Sequence, residues 1–301
     1  MKIILAKKAG FCFGVKRAID MVLALKDKSF PNETIFTLGP IIHNHYVIEE
    51  LKQKGIIPLD EHELDQLDKG VVVIRTHGVA REVEKKLLAK GIQIIDTTCP
   101  YVKKVHGRVR FLESRHYQVV ILGQANHPEV QGIVGQCEGI PYVIQDIHDI
   151  SKIANNNERI GVVAQTTMLL PVYQELIGAL CLISKEMLSF NTICFTTEAR
   201  QNEACGLAQY VNKMLVIGGK NSSNSNKLYQ VCKAMLNSRA HFIENPSEID
   251  LSWLQNEDIV GITGGASTPH QLIDQTILFL KNHFDVSCVT YNSILTSNPP
   301  E

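Results

Sequence analysis

Short apolar runs alternate with helix-like patterns along most of the chain, and this alternation restricts the fold more than any other feature. KIILA precedes VKRAIDMVLALK, VVVIRT precedes REVEKKLLAK, and DIVGITGG precedes PHQLIDQTILFLKN. Repeated strand–helix units imply parallel β-sheets covered by helices. In such sheets the chemistry is expected at the carboxyl ends of the strands, where the loops gather. We therefore predict an α/β fold.

Three of the eight cysteines share one local setting, in which an apolar run ends in a small or polar turn and a helix-like pattern follows the cysteine. They are Cys12, Cys99 and Cys194. Amides at a helix start and the helix dipole stabilise a thiolate. Three thiolates at the centre of three similar units would hold a metal cluster. Because an iron–sulfur cubane has four irons, three protein ligands would leave one iron open to substrate.

The predicted boundaries follow these cysteines. We expect three similar α/β units with parallel sheets around a central iron–sulfur site, at residues 1–97, 98–192 and 193–285, and a C-terminal tail at 286–301. The tail has no periodicity after Val289 and is expected either to be mobile or to cover a site. SKIANNNER is predicted to be a polar surface loop.

A cysteine can also be a buried core residue that behaves as a small hydrophobe. One cysteine alone would favour that interpretation, whereas three in a repeated context favour ligands. The other five cysteines lack the pattern. Among them, Cys181 and Cys232 have apolar neighbours and are expected in the core.

Charge and hydrophobicity exclude several classes of protein. The formal net charge of −1 and the pI near 6.8 give no electrostatic basis for binding nucleic acid or an anionic membrane. No apolar stretch approaches the roughly 20 residues of a membrane span, so the protein is expected to be cytoplasmic. Thiols stay reduced in that compartment, and the cysteines are therefore expected to be core residues or metal ligands.

Three histidines, His43, His77 and His127, lie at strand ends or in the loops that follow. Each can donate hydrogen bonds to a phosphate or carry positive charge. A solvated loop histidine is the alternative for any one of them, but three in equivalent loops favour a shared anion site. The sequence does not distinguish His43 from His45, and His106 is expected to be a surface or helix residue.

Further polar side chains follow strand-like runs in small turns. These are Ser222, Ser223 and Asn224 in NSSNSN, Ser267 in GGASTP, and Thr166 in AQTT. Hydroxyls and backbone N–H groups at such turns can surround phosphate oxygens. Helix capping needs only one such residue, so the NSSNSN run favours ligand binding. Thr166 has an alternative role as a buried β-branched strand residue.

Glu129 lies two residues after His127 and could deliver a proton to a leaving hydroxyl in the same pocket. Alternatively, it is a first-turn glutamate that interacts with the helix dipole. Its position in the sequence does not decide between these roles.

Taken together, these segments resemble the 4-hydroxy-3-methylbut-2-enyl diphosphate reductase family over residues 1–281. The resemblance rests on GFCFGVKRAI, IIHNHYV, RTHGV, DTTCPYVKKVH, NHPEVQGIVGQ, QTT, KNSSNSNKL and GASTP. It implies a three-lobed α/β protein with a 4Fe–4S cluster on Cys12, Cys99 and Cys194 and one open iron. It also implies diphosphate contacts from His43, His77, His127, Thr166, Ser222, Ser223, Asn224 and Ser267, with Glu129 as the proton-relay acid.

The family's reaction is a reductive loss of the substrate's hydroxyl as water. Isopentenyl and dimethylallyl diphosphates form, and the resemblance suggests ferredoxin or flavodoxin as the electron donor. After the third cysteine the family commonly reads ATTNRQ, whereas this chain has Glu198 and Ala199 in place of the Thr-Asn pair. The extra negative charge is expected to affect cluster potential, or the support of the site, more than reaction type.

Two other classes of protein remain open at this point. A redox sensor or iron–sulfur carrier would hold the same cluster but has no need of a diphosphate pocket. A zinc protein would use the three cysteines for one ion and keep water in the fourth position.

Overall fold

The computed structural model describes residues 1–153 and 159–292. Within these ranges the strands form one five-stranded and two four-stranded sheets. Every strand pair is parallel. The predicted α/β fold with three parallel-sheet units is therefore confirmed. Part of the predicted SKIANNNER loop, residues 154–158, and the tail from 293 to 301 lie outside the described residues.

Sheet A combines strands from both ends of the chain. Its strands are β1 (Lys2–Leu5), β10 (Lys213–Ile217), β11 (Ala240–Ile243), β12 (Ile259–Gly264) and β13 (Ser287–Thr290). Their spatial order is β11-β10-β12-β1-β13.

Sheets B and C are built from the intervening part of the chain. Sheet B contains β2 (Ile35–Leu38), β3 (Ile56–Leu59), β4 (Val71–Ile74) and β5 (Gln93–Asp96) in the order β3-β2-β4-β5. Sheet C contains β6 (Gln118–Leu122), β7 (Tyr142–Ile144), β8 (Arg159–Ala164) and β9 (Glu186–Ser189) in the order β7-β6-β8-β9.

Helices follow most strands. They are α1 (Phe13–Lys28), α2 (His45–Gln53), α3 (Arg81–Ala89), α4 (Pro100–Ser114), α5 (Pro128–Val134), α6 (Leu170–Ile183), α7 (Phe195–Ala208), α8 (Ser223–Leu236) and α9 (His270–His283). Short 3-10 helices span Glu61–Gln66, Ile147–Lys152, Asn237–Arg239, Pro246–Glu248 and Leu251–Trp253. No helix in the described part of the chain is long and apolar enough to cross a membrane.

The inner strands read as continuous apolar runs because parallel strands are buried on both faces. All four residues of β4 are buried, as are the last four of β6. Cys232 lies in the core beside sheet A, as predicted, but Cys181 is exposed. The prediction for Cys181 is wrong because α6 buries Tyr173, Leu176 and Leu180 on one face, and the next residue points away from that face.

The first strand pairs with β12 and β13, so the strand before Cys12 is an inner strand of sheet A. This pairing could not be predicted, because hydrophobic periodicity carries no information about which strands pair. The predicted unit boundaries at residues 97, 192 and 285 stay a prediction. Contacts group the described residues into two compact units. The first unit comprises Met1–Phe13, Ile42–Val47 and the described residues from Phe195 onward, and the second comprises the described residues of Gly14–Ile41 and Ile48–Cys194.

Candidate active site

Each cysteine of the repeated setting lies immediately before a helix. The helices α1, α4 and α7 begin at Phe13, Pro100 and Phe195, directly after Cys12, Cys99 and Cys194. The first N–H groups of a helix have no partner within the helix and, with the helix dipole, favour negative charge. All three cysteines therefore lie beside the positive end of a helix dipole.

The backbone amides of these cysteines make equivalent hydrogen bonds. Cys12 donates to the Ala266 carbonyl at 3.1 Å, Cys99 to the Thr76 carbonyl at 3.0 Å, and Cys194 to the Thr166 carbonyl at 2.8 Å. Each acceptor is a predicted substrate-binding residue or its neighbour, since Ala266 precedes Ser267 and Thr76 precedes His77. The cysteine segments are thus fastened to the loops that carry the predicted pocket.

In the first compact unit, two serine hydroxyls meet beside the segment that contains His43. Ser222 caps α8, and its Oγ accepts from the Ser225 amide at 3.3 Å. The Ser267 hydroxyl lies 3.2 Å from the Ser222 hydroxyl and 3.5 Å from the His43 carbonyl oxygen. A Cβ at position 219 would lie 2.5 Å from that same carbonyl, so only Gly219 permits this approach.

The first turn of α8 presents more polar groups than a helix cap needs. Ser222 alone accepts the capping hydrogen bond, while Ser223 and Asn224 occupy the next two positions. The Asn224 side chain is 7% exposed, and within the described residues its Nδ2 has no hydrogen-bond partner. A buried amide donor without a partner costs free energy unless a ligand satisfies it. This feature favours ligand binding over capping as the role of the NSSNSN run.

His43 and His45 have different surroundings. His43 is half-buried beside Gly219 and Ser267, whereas His45 is exposed and is the first residue of α2. The structure therefore favours His43 as the residue of this segment that belongs to the site.

In the second compact unit, the rings of His77 and His127 meet edge to face, with centroids 5.4 Å apart and an interplanar angle of 85°. His127 is the N-cap of α5, and its Nδ1 accepts from the Glu129 amide at 3.1 Å. When Nδ1 accepts, the proton of a neutral imidazole lies on Nε2. His127 can therefore present an N–H donor to an anion while it caps the helix.

Glu129 and Thr166 form a buried pair. One carboxylate oxygen of Glu129 accepts from the Thr166 amide at 2.6 Å, and the other lies 2.7 Å from the Thr166 hydroxyl. Glu129 is 2% exposed, so it is not a solvated first-turn glutamate. Thr166 lies after the end of β8 and is bound through its side chain rather than being an apolar strand residue.

His106 is a residue whose surroundings the sequence did not indicate. It lies in α4 but is only 7% exposed, and a Cβ at Gly78 would lie 2.8 Å from its ring. Burial, together with the nearby Arg110, lowers its pKa from 6.5 to about 4, so the ring is neutral near pH 7. A buried neutral ring therefore supports the turn that follows His77.

Glu198 and Ala199, which replace the Thr-Asn pair of the family pattern, lie at a cavity of about 450 Å³ in the first unit. Its lining residues are Lys8, Phe195, Glu198, Ala199, Asn202, Glu203 and Tyr291. Glu198 is half-buried there in the first turn of α7. Its predicted influence on a cluster stays a prediction.

The predicted site residues divide between the two compact units. The first contains Cys12, His43, Ser222, Ser223, Asn224 and Ser267, and the second contains His77, Cys99, His127, Glu129, Thr166 and Cys194. Within the units the structure joins Ser222 with Ser267, His77 with His127, and Glu129 with Thr166.

Comparison with known proteins decides the family. The model of the family described as "LytB protein" matches residues 3–281. The chain belongs to the LytB family. Curated relatives named 4-hydroxy-3-methylbut-2-enyl diphosphate reductase include one from Geobacter sulfurreducens, 43% identical over 92% of this chain and 96% of its own length. Another, from Caldanaerobacter subterraneus subsp. tengcongensis, is 40% identical over 94% of this chain and 97% of its own.

Two solved structures are also similar to this chain. One is described as (E)-4-hydroxy-3-methyl-but-2-enyl diphosphate reductase, the terminal enzyme of the non-mevalonate pathway. It is 41% identical, with a TM-score of 0.70 over 93% of this chain and 99% of its own. A reductase from Plasmodium falciparum has 25% identity and a TM-score of 0.86 over 96% of this chain and 91% of its own.

Proposed function

We propose that this chain catalyses the reductive dehydroxylation of 4-hydroxy-3-methylbut-2-enyl diphosphate, the last step of the non-mevalonate isoprenoid pathway. Its LytB-family membership and relatives of about 40% identity over more than nine-tenths of their length support this activity. The reaction consumes two electrons and two protons, breaks the C–O bond to the hydroxyl, and yields water and isopentenyl or dimethylallyl diphosphate.

The three cysteines fit a 4Fe–4S cluster with one open iron. Cys12, Cys99 and Cys194 lie at helix starts, where amides and dipole stabilise the thiolates that such a cluster requires. The cluster, when bound, supplies the electrons and a Lewis-acidic iron for the substrate's hydroxyl. Ferredoxin or flavodoxin is the electron donor that the family suggests.

The polar loops would bind the diphosphate. Asn224 contributes a buried amide donor, and Ser222, Ser223 and Ser267 add hydroxyls at the start of α8 and before α9. The formal net charge of the chain is −1, so local groups must meet the diphosphate, and the imidazoles of His43, His77 and His127 would supply further donors. Thr166 adds a hydroxyl next to the acid.

Glu129 would hold the proton for the leaving oxygen. Its contacts with the Thr166 amide and hydroxyl fix the carboxyl orientation, and burial keeps bulk water from competing for the proton. The Thr166 hydroxyl can pass that proton on, because it is both donor and acceptor. The Glu129–Thr166 pair is the observation that most favours a catalyst over a carrier of clusters.

An anaerobic assay tests the proposal. The protein is purified without oxygen, its iron and absorbance are measured, and an artificial one-electron donor is supplied with and without substrate. We expect a brown protein that oxidises many equivalents of the donor only when substrate is present, since without substrate the donor can do no more than reduce the cluster. A brown protein without substrate-dependent oxidation would favour a carrier or sensor, and a colourless protein with stoichiometric zinc would favour a zinc site.

A further inference from the structure

Helix α7 holds the loop that carries Cys12 through a buried arginine. This Cys12 loop, residues 6–12, follows β1. Arg200 is 6% exposed, and its Nη2 donates to the Gly10 carbonyl at 2.8 Å. Its Nη1 donates to the Thr196 carbonyl in the first turn of the same helix at 3.1 Å. The guanidinium therefore joins the start of α7 to a peptide two residues before Cys12.

A second side chain, one turn further along α7, holds the other end of the loop. The Glu203 carboxylate accepts from the amides of Lys7 at 3.1 Å and Lys8 at 2.8 Å. The spacing of three residues places Arg200 and Glu203 on one face of the helix. On that face Arg200 supplies donors for a carbonyl of the loop, and Glu203 supplies acceptors for two amides of the loop.

The loop backbone is shaped for these contacts. Gly10 has φ = 106°, a region that disfavours residues with a Cβ, and a Cβ there would lie 2.7 Å from the His270 ring. The Gly10 carbonyl is thereby held in an orientation that a larger residue would not adopt. Two residues later, the Cys12 amide binds the Ala266 carbonyl.

We propose that Arg200 and Glu203 form a clamp that holds the Cys12 loop in its ligand conformation before any cluster is present. They are positioning residues, and the proposal rests on the proposed function in that it takes Cys12 as a cluster ligand. Helix α7 begins directly after Cys194. The helix that follows one proposed ligand, Cys194, therefore holds the loop that carries another, Cys12. A loop held in advance loses less conformational entropy when a cluster binds.

The test measures how fast each thiol reacts in the cluster-free protein. Iodoacetamide is added to the full chain, and alkylation of Cys12, Cys99 and Cys194 is followed by peptide mass spectrometry. In Glu203→Ala and Arg200→Lys we expect Cys12 to react about tenfold faster, since local opening exposes it more often. Cys99 should keep its wild-type rate within about twofold in both variants, and Cys194 should do so in Glu203→Ala, which leaves the bond from Arg200 to the Thr196 carbonyl intact.

Matched controls lie on the same helix. Glu198→Ala removes the same charge as Glu203→Ala, and Asn202→Ala shortens a neighbouring exposed side chain. Both should leave the Cys12 rate unchanged, because no hydrogen bond joins either side chain to the loop within the described residues.

Two results would overturn the clamp. One is a wild-type Cys12 rate in folded Glu203→Ala and Arg200→Lys, and the other is equal acceleration at all three cysteines, which indicates general loosening. Iron transfer to a chelator from reconstituted protein gives a second readout, expected to be about tenfold faster in both variants. If the wild-type chain takes up no cluster, the proposed function fails, yet the alkylation rates still decide the clamp.

Discussion

Thr166 binds the carboxylate of Glu129 at two points, with the amide nitrogen at 2.6 Å and the hydroxyl at 2.7 Å. The carbonyl of the same threonine accepts the Cys194 amide at 2.8 Å. Thr166, which follows the end of β8, therefore holds both the Glu129 carboxyl and the backbone of Cys194, a proposed metal ligand. In the proposed reaction, Thr166 would therefore contact both the proton donor and the segment of a cluster ligand.

We expect Glu129→Gln to lower turnover by about 10²–10⁴-fold. Glutamine keeps the size and the hydrogen-bonding reach of glutamate but cannot release a proton to the leaving oxygen. Cluster absorbance and substrate affinity should be retained, and all three quantities are measured on one preparation.

The conservative variant Glu129→Asp still titrates and should be more active than Glu129→Gln. Thr166→Ser keeps the hydroxyl and serves as the matched control for the partner. If Glu129 only interacted with the helix dipole, its replacement would lower the free energy of unfolding by about 0.3–1 kcal/mol and leave turnover nearly normal. Near-wild-type turnover in Glu129→Gln would thus reject the proton-donor role.

Asn224→Ala should weaken substrate binding by about 1.5–3 kcal/mol, the cost of a hydrogen bond to a charged group. The reason is that its Nδ2 is buried without a partner in the described chain. Calorimetric titration with substrate, or with inorganic diphosphate, measures the change. His45→Ala is the control, because that exposed ring is expected to contribute nothing. Equal affinity in the two variants would remove Asn224 from the site.

Replacement of Cys12, Cys99 or Cys194 by Ser should abolish stable cluster binding and activity, since a serine hydroxyl binds iron far more weakly than a cysteine thiolate does. Iron content and visible absorbance provide the measurement. The controls are Cys181→Ser at an exposed position and Cys232→Ser in the core, both of which should keep the cluster. A full-strength cluster in Cys99→Ser would contradict the ligand assignment.

The cluster-free protein should become less stable as the pH falls from 6.5 to 4, partly because of His106. The folded chain binds this proton with a pKa of about 4, whereas the unfolded chain binds it near 6.5. The unfolded state therefore takes up more protons in this window, and the loss should reach about 3 kcal/mol.

Denaturant titrations of wild type and His106→Gln at several pH values isolate this contribution. The charges of Arg110, Asp96, Lys103 and Arg81 also act on the pKa of His106. Variants of these residues should alter the dependence of unfolding free energy on pH less than removal of the His106 ring does. An unchanged pH slope in His106→Gln would show that the ring is not the titrating group.

The sequence was sufficient for the features that depend on local pattern. Alternating strand and helix patterns predict parallel sheets because inner strands such as β4 are buried on both faces. The turn before each helix likewise predicts where Cys12, Cys99 and Cys194 lie relative to α1, α4 and α7.

Features that depend on contacts between distant segments could not be read from the sequence. The pairing of β1 with β12 and β13, the burial of His106, and the Arg200–Gly10 contact across 190 positions all arise from tertiary packing. The bond between Glu129 and Thr166 is of the same kind, since neither local pattern indicates the other residue.

Product analysis in deuterium oxide tests the central claim most directly. Anaerobic, chemically reduced protein is mixed with 4-hydroxy-3-methylbut-2-enyl diphosphate, and the products are identified by mass spectrometry. The account predicts isopentenyl and dimethylallyl diphosphates that have lost the hydroxyl oxygen and carry one solvent deuterium in the new C–H bond. Unchanged substrate in the presence of a complete, reduced cluster, or release of inorganic diphosphate without either product, would contradict it.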